Sequence, residues 1–180
     1  MRERTCETIM VNAFSCMLKR KVTEDVPLRD SGIEAIGREL KREVDAVFSG
    51  SIAIRQLDSG SDNATEIEIS NLNNAFYDIE RFGISFVASP RHADVLIVTG
   101  AVTLNMAGAV KEPYDAMPSP KFVVAVGDDA CNGGSFRGTY AVRGGADAVL
   151  PVDMKIPGNP PSPKQILAGL LALMRKARDH

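Results

Sequence analysis

A run of almost unbroken apolar residues at positions 94–99, Asp-Val-Leu-Ile-Val-Thr, limits most strongly how this chain can fold. A strand that is apolar on both faces needs cover on both faces, which is typical of parallel sheets flanked by helices. Further strands are predicted over residues 52–57, 84–88, 121–126 and 148–152, and helices over residues 33–48, 66–76, 102–111 and 164–178. This alternation predicts a three-layer α/β fold, in which a parallel sheet lies between helices.

The first part of the chain is predicted to be an N-terminal helical arm, residues 1–32, before an α/β domain over residues 33–180. Apolar residues recur at helical spacing within residues 5–21, and the segment ends in Lys19-Arg20-Lys21. Such a helix packs on its own domain or on a partner subunit, or it lies on an anionic membrane surface. Glu3 and Glu7 weaken the membrane alternative. A turn at residues 30–32 is predicted to end the arm.

Composition excludes several classes of protein. The formal net charge of −2 gives no argument for a nucleic-acid partner. The three cysteines, Cys6, Cys16 and Cys131, are odd in number and widely spaced, so no disulfide framework is expected and a reducing, cytoplasmic location is the simpler assumption. No apolar run approaches the roughly 20 residues that span a bilayer.

Three loops are predicted to carry the function. The first, residues 57–68, leaves a strand through Ser, Gly and Asp residues and enters a helix. The others are residues 127–134 and residues 157–161. Open α/β sheets usually place their chemistry at strand–loop–helix corners of this kind.

The chain resembles one known family across residues 33–180. The matching stretches are residues 71–100, 120–121, 133–136, 140–145, 150–153 and 156–158. They are similar to the small, cluster-bearing subunit of membrane-bound, energy-converting NiFe hydrogenases, which is also the 20 kDa subunit of complex I (NADH:ubiquinone oxidoreductase). The Asp58-Ser-Gly-Ser segment is closer to the hydrogenase branch. The resemblance implies a flavodoxin-like sheet, a large-subunit partner, membrane-arm subunits, and a peripheral position on the cytoplasmic face of a membrane.

The resemblance also implies a 4Fe-4S cluster held by four cysteine thiolates, and here the sequence departs from the family. The positions that match the cluster ligands hold Asp62, Thr65, Asp129 and Asn159. Iron–sulfur clusters are held by soft thiolates, and Cys131 alone, two residues beyond the third position, cannot hold a cubane. We therefore expect no cluster or other cofactor, no metal ligand and no catalytic residue in this chain.

The oxygen-rich corner leaves three structural possibilities. Its polar residues hydrogen-bond to one another, to the backbone and to water; or they bind a hard cation such as Mg²⁺ or Ca²⁺; or Asp62, Glu66 and Asp129 form part of a proton path, because crowded like charges raise pKa values. Asp62 is also expected to cap the helix that follows it.

The sequence therefore supports three functional hypotheses. The preferred one is a non-redox structural or coupling subunit that docks a large-subunit partner near the membrane arm. The second is an electron-transfer subunit with an atypical cluster site, or one whose ligands were removed by engineering. The third is a free-standing binding module that uses Asp128 and Asp129.

Overall fold

The computed structural model of this chain describes residues 30–179. Its elements are α1 (Ser31–Phe48), β1 (Ile52–Asp58), α2 (Ala64–Asn71), β2 (Ile84–Phe86), β3 (Val95–Thr99), β4 (Val102–Thr103), α3 (Met106–Ala116), β5 (Phe122–Val126), α4 (Asp128–Asn132), β6 (Val142–Gly144), β7 (Met154–Ile156) and α5 (Pro163–Arg178). The helix predicted over residues 5–21 lies outside the described residues. The division into arm and domain at residue 32 stays a prediction.

Five strands form one parallel sheet in the order β2-β1-β3-β5-β7. The first strand, β1, pairs with β2 on one side and with β3 on the other, and β5 and β7 follow beyond β3. This order is the flavodoxin-like arrangement. The α/β fold class predicted from the sequence is confirmed. A separate two-stranded antiparallel ribbon joins β4 to β6.

The central strand β3 separates two apolar cores. Val95 and Ile97 lie in the core that α1 and α5 cover, whereas Leu96 and Val98 lie in the core that α3 covers. All five residues of β3 are buried. Alternate side chains of a strand point to opposite faces, so a strand between two helical layers must be apolar throughout.

The start of α1 corrects the turn predicted at residues 30–32. Asp30 is the N-cap, and its Oδ1 accepts a hydrogen bond of 2.7 Å from Gly32 N. A carboxylate at this position satisfies a main-chain donor that has no partner within the helix. The Asp-Ser-Gly sequence therefore begins the helix at Ser31.

The last strand does not lie where the sequence predicted it. The sequence predicts a strand over residues 148–152, but Ala146–Ala148 form a 3₁₀ turn and the strand is β7, from Met154 to Ile156. Pro151 has no N–H to donate to a sheet. Asp153 Oδ2 then accepts a hydrogen bond of 2.8 Å from Val123 N, and the pairing of β7 with β5 begins at the next residue.

Two predicted helices have different bounds. The helix predicted over residues 102–111 is preceded by β4 and begins at Met106, whose N donates to Thr103 Oγ1 at 3.3 Å. The helix predicted over residues 66–76 ends at Asn71. Shortly after it, Asn74 Oδ1 accepts from Phe76 N and Tyr77 N, both at 2.9 Å. Local side-chain bonds of this kind compete with helix formation.

Candidate functional site

The three loops predicted to carry the function follow β1, β5 and β7. These strands are parallel, so their carboxyl ends lie at the same edge of the sheet. The predicted grouping of the loops is confirmed in its topology.

The β5 and β7 loops are tied together by main-chain bonds. Gly127 N donates to Ile156 O at 2.9 Å, and Asp128 N donates to Gly158 O at 2.8 Å. In return, Asp128 Oδ1 accepts from Gly158 N at 2.9 Å. This reciprocal pair fixes the two loops relative to each other.

The loop after β1 is held against the end of β3. Ser59, which is fully buried, donates its hydroxyl to Thr99 O at 2.8 Å. Asp58 Oδ1 accepts from Gly60 N at 2.8 Å and from Ser61 N at 2.9 Å. Gly100 has φ +74°, and a Cβ there would collide with the main chain of Ser61. The loop is therefore closely packed on its neighbour.

Of the four residues that the sequence predicts at the cluster-ligand positions, two lie at the start of α2. Asp62 is exposed, and its Oδ1 accepts from Ala64 N at 3.0 Å. It thus bonds to the first helical residue, while Asn63 occupies the N-cap position itself. Thr65 is buried, and its Oγ1 lies 2.8 Å from the point that a Cβ on Gly127 would occupy. The structure therefore brings Thr65 to the β5 loop.

The other two residues lie on the neighbouring loops. Asp129 is half-buried on α4, and Asn159 is exposed between Gly158 and Pro160. None of the hydrogen bonds or ion pairs within residues 30–179 joins two of the four residues. The loops that carry these four residues are joined by two contacts, that of Thr65 with Gly127 and that of Asp128 with Gly158.

The donor atoms at these positions do not suit a 4Fe-4S cluster. They are two carboxylates, a hydroxyl and an amide. The Asp62 carboxylate accepts a hydrogen bond from Ala64 N, and the Thr65 hydroxyl packs against Gly127. Cluster iron prefers thiolate sulfur. Cys131, which is the only cysteine within residues 30–179, directs its Sγ to Ala125 O at 3.6 Å. Burial raises its pKa to about 11, so the group is a protonated thiol near neutral pH.

Glu66 is the corner residue with the most unusual surroundings. It is buried, and both of its carboxylate oxygens lack a hydrogen-bond partner among the described residues. Within residues 30–179, no three His, Cys, Asp or Glu side chains are grouped so that they could hold a metal ion. The hard-cation alternative gains no support from this geometry.

Residues 63–173 match the family model of the 20 Kd subunit of NADH ubiquinone oxidoreductase. The chain belongs to this family. The resemblance stated from the sequence is thereby confirmed, and the match includes α2, the loop after β5 and most of α5.

Curated relatives of the family agree with this assignment. The chain is 51% identical over 111 residues to a subunit of the NADH-quinone oxidoreductase of Clostridium beijerinckii, a match that covers 61% of this chain and 66% of the relative. It is 51% identical over 114 residues to the equivalent NADH-quinone oxidoreductase subunit of Citrifermentans bemidjiense, covering 63% of this chain and 66% of the relative. The matches thus span slightly less than two thirds of these relatives.

Solved structures extend the family comparison. A chain of the membrane-bound sulfane sulfur reductase, an archaeal respiratory membrane complex, has 33% sequence identity and a TM-score of 0.63 and covers 72% of this chain and 71% of that one. An NAD⁺-reducing [NiFe]-hydrogenase in the H₂-reduced state has 16% identity and a TM-score of 0.53, covering 70% and 92%. The second likeness concerns the fold alone. Among residues 30–179, no helix has the length and apolar character needed to cross a membrane.

The sequence reasoning missed two features of this family member. Arg55 lies inside an otherwise mostly apolar strand, and its Nε is buried without a hydrogen-bond partner among the described residues. Leu104, Phe136 and Tyr140 are large apolar or aromatic residues that are more than half exposed near the β4–β6 ribbon. The sequence signal for Arg55 is a charged residue within a predicted strand. No local sequence pattern distinguishes the three exposed residues near the ribbon.

Proposed function

We propose that this chain is a non-redox structural or coupling subunit, which docks a large-subunit partner of a hydrogenase or complex I-type assembly. The observation that carries the proposal is the donor chemistry at residues 62, 65, 129 and 159. A carboxylate, a hydroxyl, a second carboxylate and an amide stand there, in a corner whose main chain is well bonded. A framework that is retained without thiolates favours a role in assembly over electron transfer.

The exposed apolar residues support docking. Leu104 N donates to Ala141 O at 2.9 Å, which brings Leu104 beside the segment that carries Tyr140. Phe136 and Tyr140 are 51% and 96% exposed, and aromatic residues are enriched in the buried centres of protein interfaces. The partner is proposed to be a large-subunit-like protein, with membrane-arm subunits nearby on the cytoplasmic face of a membrane.

Iron and acid-labile sulfide assays on anaerobically purified full-length protein test the absence of a cluster. We expect neither element in stoichiometric amount and no visible absorbance from a cluster. A stoichiometric 4Fe-4S spectrum would overturn the non-redox assignment.

Docking is tested by co-expression with the large-subunit partner and quantitative co-purification. Tyr140→Ser combined with Phe136→Ser should reduce the recovered partner. Phe76→Ser is the matched control, because Phe76 is also a partly exposed aromatic residue but lies after α2 rather than near the β4–β6 ribbon. Equal recovery with both variants would contradict the docking surface.

Family membership favours one alternative, electron transfer through an atypical or engineered-away 4Fe-4S site. The discriminating variant combines Asp62→Cys, Thr65→Cys, Asp129→Cys and Asn159→Cys. If ligand loss is the only difference from the family, this variant should bind iron and sulfide on reconstitution. Failure to reconstitute in a folded protein would count against a recent loss.

A further inference from the structure

A groove of about 310 Å³ lies at the carboxyl end of β2, between β1 and α2. It exists because β2 is short. The pairing of the two strands ends at Ile54 and Phe86, while β1 continues to Asp58. The volume is at the lower end of the range of about 300–1,000 Å³ found for small-molecule sites.

The groove contains one permanent positive charge, that of Arg55. Arg55 is one of the residues that line the groove, and its Nε is buried without a hydrogen-bond partner among the described residues. No carboxylate within residues 30–179 forms an ion pair with it. An arginine guanidinium stays charged at any ordinary pH and matches a carboxylate geometrically. The two Nη groups of Arg55 have no hydrogen-bond partner within residues 30–179 and, unlike Nε, are not buried, so an incoming carboxylate can pair with them.

The main chain of β1 contributes a second donor. Asp94 N donates to Ala53 O at 2.8 Å, and Val87 N donates to Ile54 O at 2.9 Å. Successive residues of β1 therefore direct their main-chain groups alternately toward β3 and toward β2. Gln56 follows the same direction as Ile54, and no residue of β2 lies opposite it. Its N–H is directed toward the groove.

The other walls define the rest of the ligand. Ser70 and Asn73 line the groove from the α2 side with polar groups, while Ile69, Phe86 and Val87 supply apolar surface. Arg55 is the only charged residue among the described residues that line the groove, so its single positive charge balances one carboxylate. A monoanion with a short hydrocarbon chain therefore fits best.

We infer that the groove binds a small aliphatic monocarboxylate, with its carboxylate on Arg55 and Gln56 N–H and its hydrocarbon chain against Phe86. The volume favours a free molecule over one inserted acidic side chain of a partner subunit, which would fill only part of the groove. This site is independent of whether the neighbouring corner holds a cluster.

Titration of the full-length, isotope-labelled chain with butyrate, followed by amide NMR, tests the site. Saturable shifts are expected at Gln56, Ser70 and Asn73, with a dissociation constant on the order of 1 mM. Arg55→Gln should weaken binding by about tenfold or more, the range that loss of one charge-assisted pair supports. Arg143→Gln is the control, because Arg143 is an exposed arginine outside this groove. The Arg143→Gln variant should bind butyrate as tightly as the parent chain does.

Ser70→Trp provides a second variant, which fills the groove from the α2 side and leaves Arg55 in place. It should also abolish the shifts, while thermal unfolding verifies that both variants are folded. Shifts that do not saturate, binding that survives both variants, or equally strong binding of butylamine would overturn the site.

A final measurement distinguishes the source of the carboxylate. Butyrate should bind equally to the isolated chain and to its complex with the large-subunit partner. Loss of butyrate binding in the complex would overturn the small-molecule proposal and assign the groove to an acidic side chain of the partner.

Discussion

Asp128 and Gly158 exchange two hydrogen bonds across the candidate site. The Asp128 N–H donates to Gly158 O at 2.8 Å, and the Asp128 carboxylate accepts from Gly158 N at 2.9 Å. One residue follows β5 and the other follows β7, so this pair holds together two loops that the sequence separates by 30 residues.

Asp128→Ala should lower the free energy of unfolding by about 1–3 kcal/mol, because Gly158 N loses a charged acceptor at a half-buried position. Asp128→Asn retains an acceptor oxygen and should lose less. Urea unfolding measures both values. Asp129→Ala is the control, since the Asp129 carboxylate has no hydrogen-bond partner within residues 30–179. An Asp128→Ala protein as stable as this control would show that the pair contributes nothing.

Gly127→Ala should destabilise the protein by at least about 1–3 kcal/mol, because backbone strain costs that much before any steric contact is counted. Gly127 has φ +92°, and the added Cβ would lie 2.8 Å from Thr65 Oγ1. Gly108→Ala is the matched control, because Gly108 lies in α3 with open space around its Cβ position. There the substitution should stabilise by about 0.5–1 kcal/mol, since alanine is the better helix former. Thermal unfolding that ranks the two variants in the opposite order would contradict this explanation.

Glu43→Ala should cost about 1–3 kcal/mol, because it removes the partner of Arg178 at a buried position on α1. Arg178 Nη1 lies 2.9 Å and 2.7 Å from the two Glu43 carboxylate oxygens and thereby joins the end of α5 to α1. Asp45→Ala removes the exposed pair with Lys41 on the same helix and should cost at most about 0.5 kcal/mol. Urea unfolding at low and high salt should show both differences, and equal effects would argue against burial as the cause.

Cys131 should make stability depend on pH at the alkaline end. Burial raises the pKa of its thiol from the ordinary 9.0 to about 11 in the folded protein. Below pH 9 both states keep the proton, so the contribution is fully present. It is lost as pH rises from about 9 to about 11, because the unfolded state then releases a proton that the folded state retains.

The measurement is the free energy of unfolding between pH 8 and pH 11 for Cys131→Ala and for the parent, both with Cys6→Ser and Cys16→Ser. The parent should lose more stability over this interval than the variant. Alkylation of Cys131 by iodoacetamide at pH 8 should also be slow, since the thiolate is the reactive form. Parallel pH profiles or rapid alkylation would show that the thiol is not shielded.

The loops of the candidate site could be located from local patterns. Residues 57–68 leave an apolar strand through Ser59, Gly60 and Ser61 and enter a helix, and the Gly127 loop follows another apolar strand. Their meeting follows from the parallel order of the strands. The contact of Thr65 with Gly127 could not be predicted in this way, because it depends on how α2 lies over the sheet.

The amino-acid sequence by itself determined that β3 is covered on both faces, that the sheet is parallel, and that no cysteine stands at residues 62, 65, 129 or 159. These properties depend on residue types and on periodicity over a few residues, which a sequence states directly.

Only the tertiary structure decided the position of β7, the β4–β6 ribbon, the unpaired Arg55 and the raised pKa of Cys131. Each of them depends on partners distant in the chain: β7 on the edge of β5, Arg55 on the early end of β2, and Cys131 on the surface buried around it. Strand pairing and desolvation are set by packing in three dimensions, so short-range patterns carry no record of them.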